Sequence, residues 1–246
     1  MCNKILKKYT NFGKDFQCIL SQNVWDIKKY HADDNQISVG FLCYDHNGQL
    51  LEGRLNIDIQ TNEHTKLVEG DTYVFSKFSV IHNSRHRKLT QLPYYILIDK
   101  KTIASRVTGI GPVFPVHTFS PQDYKNLLRL VTTLTYLPDV VGQIVLIQKI
   151  SQHHPESNTD ATIGLKLNRS IIVKLLLYDK QAAEFGILHN KKNRKFKVVV
   201  ITSIIPKLCQ GKLLLSSSPA TNFYFNKSID CIKQFRRRVR DFGKNM

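Results

Sequence analysis

The side chains that could do covalent chemistry in this 246-residue chain are few and poorly spaced for it. His153 and His154, followed by Pro155 and Glu156, come nearest to a metal cluster. They lack the separated ligand pairs from which zinc sites are built, and they read as a loop. The stretch "GKLLLSSS" at 211–218 offers a Gly-Lys pair and hydroxyls, but its glycine spacing is wrong for a phosphate-cradling loop and no helix follows directly. Cys2, Cys18, Cys43, Cys209 and Cys231 are scattered and odd in number, with no C-x-x-C pair. They support neither a disulfide framework nor a structural zinc site, and they fit reduced thiols in the cytosol or nucleus. No Ser-His-Asp set and no paired carboxylates stand out, so no enzyme activity, metal, cofactor or small-molecule substrate is expected.

What the sequence does offer is binding chemistry. Lys and Arg number 36 against 19 acids, a net charge of +17. An excess of this size favours a polyanionic partner, above all nucleic acid. Residues 1–116 hold 15 basic and 11 acidic side chains, a net +4, while residues 117–246 hold 21 and 8, a net +13. The second half is therefore the more electropositive body. Hydrophobic residues at 42% are enough for a packed core. No apolar run reaches the ~18 residues of a membrane span, and no membrane partner is expected.

The elements that would position these groups are mostly strands. "ISVGFLCYDHNGQLLEGRLNI" forms two β-rich runs around Asp45-His46-Asn47-Gly48, an Asn-Gly hairpin turn. A strand from Val24 to Tyr30 precedes it, and "DTYVFSKFSVI" and "LPYYILID" follow. Proline and glycine cluster between 108 and 121 and mark a linker. Ser120 or Pro121 then opens a short helix carrying the stripe Tyr124, Leu127, Leu128 and Val131. After it the order of elements repeats: the strand "DVVGQIVLIQKI", a hairpin around Asn168-Arg169-Ser170, helix-forming "DKQAAEFGIL", then the strands "KFKVVVITSII" and "GKLLLSSS". Five strands with a short helix between the third and fourth describe an OB-fold, a small Greek-key barrel. The expected fold is all-β, with two tandem five-stranded OB-folds at 17–107 and 122–246. The second ends in a helix whose stripe is Ile229, Ile232, Phe235 or Arg236, Val239 and Phe242, with Ser228 as N-cap.

Four stretches carry a family resemblance: "VGFLCYDHNGQLLEGRL", "LVEGDTYVFSKFSVIHNSRHRK" with its following "YYILID", "LLLYDKQAAEF", and "GKLLLSSSPATNFYFNKSIDCIKQFRRRV". In this order, from about Trp25 to Arg240, the chain resembles the large subunit of replication protein A, in its plant-type branch. The resemblance implies tandem OB-folds that hold single-stranded DNA in a basic groove with bases stacked on aromatic rings. It also implies replication protein A-like partner subunits, a nuclear location and roles in DNA replication, repair or recombination. The family's third, zinc-bearing barrel has no counterpart here, so the chain reads as a shortened paralogue, a piece of something larger, or a mobile-element derivative.

Carried over residue by residue, the resemblance makes Tyr178, at the end of "LLLYDK", the leading base-stacking candidate. His64 and Phe41 are candidates in the first barrel, where Val39 occupies a usual stacking position; Cys209 occupies one in the second. The loop "HNSRHRK" should join strands four and five of the first barrel. It offers Arg85, Arg87 and Lys88 to phosphates and Asn83 to a base edge, with Arg54 as a further contact. Lys166 and Arg169 flank the first hairpin of the second barrel, and Lys207 and Lys212 flank its last turn. The basic run 190–197 is either a phosphate-tracking loop or a nuclear-localisation-like patch, and the arginines at 236–240 are a secondary candidate. Two other readings remain open at this point: an RNA-binding OB-fold, and a protein-interaction module whose missing aromatics have cost it tight DNA binding.

Overall fold

A computed structural model of the chain describes residues 16–26, 38–45, 48–56, 67–68, 70–84, 87–107, 119–133, 135–149, 161–168, 170–191 and 198–240. The side chains of 16–26, 38, 39, 56, 149, 190, 191 and 240 are not among the described parts. The chain divides into two units, Met1–Thr118 and Phe119–Met246.

Among the described residues of the first unit seven strands follow one another: β1 Phe16–Asp26, β2 Ser38–Asp45, β3 Leu50–Asn56, β4 Thr72–Ser76, β5 Ser79–His82, β6 Tyr94–Ile98 and β7 Ile103–Arg106. The second unit has β8 Val140–Lys149, β9 Ala161–Lys166, β10 Ile172–Leu177, β11 Val198–Ile201, β12 Ile205–Cys209, β13 Lys212–Ser216 and β14 Phe223–Tyr224. Among its described residues it also carries three helices: α1 Tyr124–Thr133, α2 Asp179–Lys191 and α3 Asp230–Arg240. The strand orders are β5-β6-β3-β2-β1-β4-β7 and β12-β13-β10-β9-β8-β11-β14. Adding seven to each number of the first gives the second. The repetition read in the sequence is thus a repetition of topology, and the fold is all-β and OB-like.

Each sheet counts seven strands rather than five for two reasons. The expected fourth strand is broken in two, and a short strand is added at one edge. The break is a left-handed backbone step: Lys77 at φ 57° between β4 and β5, Ser203 at φ 52° between β11 and β12. The half before the step pairs with the first strand, and the half after it pairs with the last strand of the barrel set. In each unit, therefore, two segments only two or three residues apart stand near opposite ends of one ladder, which curls the sheet. The step at Ser203 is pinned by its own carbonyl, which accepts from Ser218 Oγ at 2.6 Å and from Thr221 Oγ1 at 3.0 Å.

Alternation along the strands sends one face inward, where apolar burial drives folding. Phe41, Cys43, Leu51, Leu55, Tyr73, Phe75, Ile96 and Ile98 make the core of the first unit. The Phe41 ring lies against Gly53, where an added Cβ would come within 2.1 Å of a ring carbon, so only glycine fits there. Ile144, Ile163, Leu165, Val173, Leu175, Leu177, Val199, Leu213 and Leu215 do the same in the second, closed by Leu127 of α1 and by Ala182 and Phe185 of α2.

The first strand runs over Phe16–Asp26 rather than from Val24 to Tyr30. Pairing with β2 and β4 carries the Ser-Gln-Asn interruption inside it. Helix α1 is capped by Asp123, whose Oδ1 accepts from the Asn126 N–H at 2.8 Å, not by Ser120 or Pro121. Helix α3 buries Ile229, Ile232 and Phe235, with Val239 beside them, as its stripe predicts. These side chains cover Val141, Val198 and Val200 on the outer face of β8 and β11. Its first helical carbonyl is that of Ile229, accepting from Lys233, so Ser228 stands just outside the helix.

Candidate nucleic-acid interface

The outer face of the second sheet is divided. Helix α3 covers the β8–β11 side; beyond it the exposed outward residues stand on β10, β12 and β13, while β9 is buried as far as the half-buried Lys166. Register fixes what those strands present. Lys174 pairs with Gly164 of β9 and Leu214 of β13, and Leu214 pairs with Lys207 of β12, which makes one row across the sheet. One step of two residues away lies a second row, Lys166 against Ile172 and Lys212 against Cys209. Four successive strands therefore each carry one lysine, Lys166, Lys174, Lys212 and Lys207, alternating between two adjacent rows. With strands about 4.8 Å apart and residues two apart about 6.8 Å along a strand, successive lysines stand about 8 Å from one another.

Lys174, Lys207 and Lys212 are exposed and Lys166 is half-buried. None of the four meets a carboxylate among the described residues. Between them lies apolar surface: Ile172 and, at the far end of the Lys174 row, Leu146 are exposed. Such a face attracts anions by uncompensated charge and accepts flat apolar groups between the charges. Lys207 and Lys212 are held apart by a two-residue turn in which Gln210 and Gly211 both take positive φ, the geometry that matches strand twist.

Tyr178 follows β10 on the same face, two residues beyond Leu176. It is 39% exposed. Its backbone is fixed on both sides: its N–H donates to Ser217 Oγ at 3.2 Å, and its carbonyl accepts from the Gln181 and Ala182 N–H groups at the start of α2. An aromatic ring on an immobilised backbone loses little freedom when a base stacks on it. Cys209, on β12, is exposed.

The first unit treats the equivalent face differently, and three candidates move inside. Phe41 is 0% exposed and belongs to the core, because its strand phase puts it opposite Gly53 on the inner face. Arg54 is 5% exposed. Its Nε and Nη2 donate to Glu52 Oε1 at 3.2 and 3.0 Å, and its guanidinium lies 3.6 Å over the Tyr95 ring. Asn83, 2% exposed, donates through Nδ2 to Glu52 Oε2 at 3.0 Å, and the Leu89 N–H reaches the same oxygen at 3.5 Å. A buried carboxylate needs a cation and several donors, and these residues supply them. They are bound to each other rather than available to a ligand. Arg87 is exposed and Lys88 half-buried on the loop that follows.

His64, Arg85 and Arg169 lie outside the described residues, as do the side chain of Val39, His153-His154 and most of the run 190–197. Among the described residues no three metal-ligating side chains gather, and no helix is long and apolar enough to cross a membrane. Lys233, Arg237 and Arg238 are exposed on α3, Lys233 paired with Asp230 at 2.9 Å. The sequence reading passed over Lys174. Flanked by Val173 and Leu175, it looks like the polar phase of a core strand; only the cross-strand register brings it into line with lysines 8 to 38 residues away.

No protein-family model matches this chain, and no curated protein matches it in sequence. Among solved structures it is similar to a chain of a replication protein A heterotrimer bound to single-stranded DNA, at 15% identity and a TM-score of 0.57. The match covers 95% of this chain and 53% of that one, so the chain spans about half its relative's length. The HINa domain of Ifi202 in complex with duplex DNA aligns over 86% of this chain and 94% of its own, at 13% identity and a TM-score of 0.45. A murine DNA-binding protein bound with duplex DNA aligns over 85% and 93%, at 9% identity and a TM-score of 0.43. Those two likenesses are too distant to bear on function, and the first establishes fold: the chain is an all-β protein of OB-like architecture.

Proposed function

We propose that the chain is a binding module for single-stranded nucleic acid, with single-stranded DNA as its ligand. Phosphates lie along Lys166, Lys174, Lys212 and Lys207, and a base stacks on Tyr178. The observation that carries this reading is the alternating line of four lysines, none paired with a carboxylate among the described residues, on the outer face of a sheet whose strand β10 leads to an exposed, backbone-fixed tyrosine. Charge of this kind gives salt-dependent, sequence-blind affinity, and a stacked base adds ~1–3 kcal/mol. The resemblance to the replication protein A large subunit extends the proposal to replication, repair or recombination in the nucleus, with partner subunits of that kind.

The deciding experiment is fluorescence anisotropy of a labelled strand of ~30 nucleotides, enough for any OB-fold footprint. It is compared with duplex and RNA of equal length over a salt series. The expected result is preference for single-stranded DNA, a log–log salt slope of about −3 for four phosphate contacts, and ~5- to 150-fold weaker binding by Tyr178→Ala. A stronger grip on RNA would reassign the ligand. Equal, weak binding to all three that vanishes at moderate salt would favour the second reading, a protein-docking surface. The exposed Cys209, standing where the resemblance has an aromatic ring, is the feature that supports it.

A further inference from the structure

We infer that nucleic acid is held by the second unit alone, because the matching face of the first unit is already filled by its own side chains. This rests on the binding reading above and narrows it to one barrel. The two sheets match strand for strand, so β3 is the counterpart of β10 and β6 of β13. On β10 the outward residues Ile172 and Lys174 are open to solvent. On β3 the outward residues are Glu52 and Arg54, 2% and 5% exposed, and their neighbours across the ladder, Leu42 at 3% and Gly40, are buried as well.

A phosphate seeking Arg54 would have to replace a carboxylate that already takes two of its N–H donors, and lift the guanidinium off Tyr95. It would also leave Asn83 Nδ2 and the Leu89 N–H without the oxygen they now share. The phosphate brings no charge that Glu52 does not already supply, and Glu52 is already desolvated in place, so exchange is uphill. The two outward charges of β3 itself, one positive and one negative, cancel at a distance and give that strand no net pull on an anion. Arg87 and Lys88 lie on the loop whose Asn83 and Leu89 are tied to Glu52.

The full chain tests this by anisotropy with thymidine oligomers of about 8, 16 and 32 nucleotides, bracketing the ~4–16 nucleotides one OB-fold covers. Lys174→Glu with Lys207→Glu should weaken binding at least 100-fold at every length. Arg87→Glu with Lys88→Glu should change it less than about threefold. Affinity should level off by ~16 nucleotides. A tenfold loss in the Arg87/Lys88 variant, or a further tenfold gain between 16 and 32 nucleotides, would overturn the one-barrel footprint while leaving single-strand binding intact. Failure of the unsubstituted chain to bind any oligomer would instead remove the binding reading, and this inference with it. Lys174, Lys207 and Arg87 are exposed and Lys88 is half-buried, and matched thermal melts check that both variants fold.

Discussion

Two sheets with the same strand order handle the outer face of their central strand in opposite ways. In the first unit, β3 places an acid and a base two residues apart, and tucks both under Tyr95 and Asn83. In the second, β10 places a lysine between residues that leave it bare. Topology therefore fixes where a groove can be, but the charges on one row of one strand decide whether there is a groove at all. A second contrast runs along the other half of each sheet. The outward residues of β11 are Val198 and Val200, buried under α3, whereas those of β4 are Thr72, Val74 and Ser76, none of them fully buried. Where α3 packs, the strand is apolar on both faces, while the outer face of β4 sets Thr72 and Ser76 on either side of Val74.

The largest expected effect falls on the closed face. Glu52→Ala strands the Arg54 guanidinium in a buried site and should cost the first unit about 3–5 kcal/mol. It should be read as a lowered urea midpoint for one of two transitions, with the affinity of the open face unchanged. Equal stability before and after would mean that the pair is not what closes the face.

A pH effect separates the two units next. Asp139 is a half-buried acid of the second unit, and no cation pairs with it among the described residues. Among the described residues its carboxylate accepts the N–H groups of Ser203 at 3.2 Å and Ser120 at 3.4 Å. Burial pushes its carboxyl up from 3.8 to about 6, against the opposing pull of those two bonds. Because the folded value is the higher one, the favourable contribution is complete below pH ~4 and is lost as pH rises through about 6, with a ceiling of about 3 kcal/mol. Urea midpoints of the second unit should fall between pH 5 and 7.5. Asp139→Asn should flatten that dependence, and a slope surviving in the variant would assign it elsewhere.

The smallest effect tests the shared feature. Lys77→Gly and Ser203→Gly each relieve a left-handed step worth about 1–2 kcal/mol, less the ~0.5–1 kcal/mol that glycine forfeits to the unfolded chain. Each should change its unit's melting temperature by only a few degrees, upward, and by the same amount. A large loss at Ser203 alone would show that its side chain, and not just its backbone turn, holds the break.

Much of the fold was legible because it rests on periodicity. The α3 stripe, the turn at Gly48 and the duplicated order of elements follow from apolar spacing and turn residues. The breaks at Lys77 and Ser203 were not legible, since neither glycine nor proline marks them; tertiary hydrogen bonds impose the backbone turn. In the site, Lys166, Lys207 and Lys212 could be picked out because they flank turns. Lys174 could not, because register is a property of paired strands. Arg54 and Asn83 were misplaced for the complementary reason: a single charge in a sequence reads as solvent-facing until its buried partner, here Glu52, is seen beside it.

The Ser203 step also has a dynamic side. The carbonyl that anchors it holds the hydroxyls of Ser218 and Thr221, while the strands it joins end on β8 and on β13. Loosening that one residue would free both margins of the ladder together. The amides of β11 and β12, though bonded to different neighbours, should then exchange with deuterium in a single concerted opening, and the second unit would have no partly unzipped form with one margin intact.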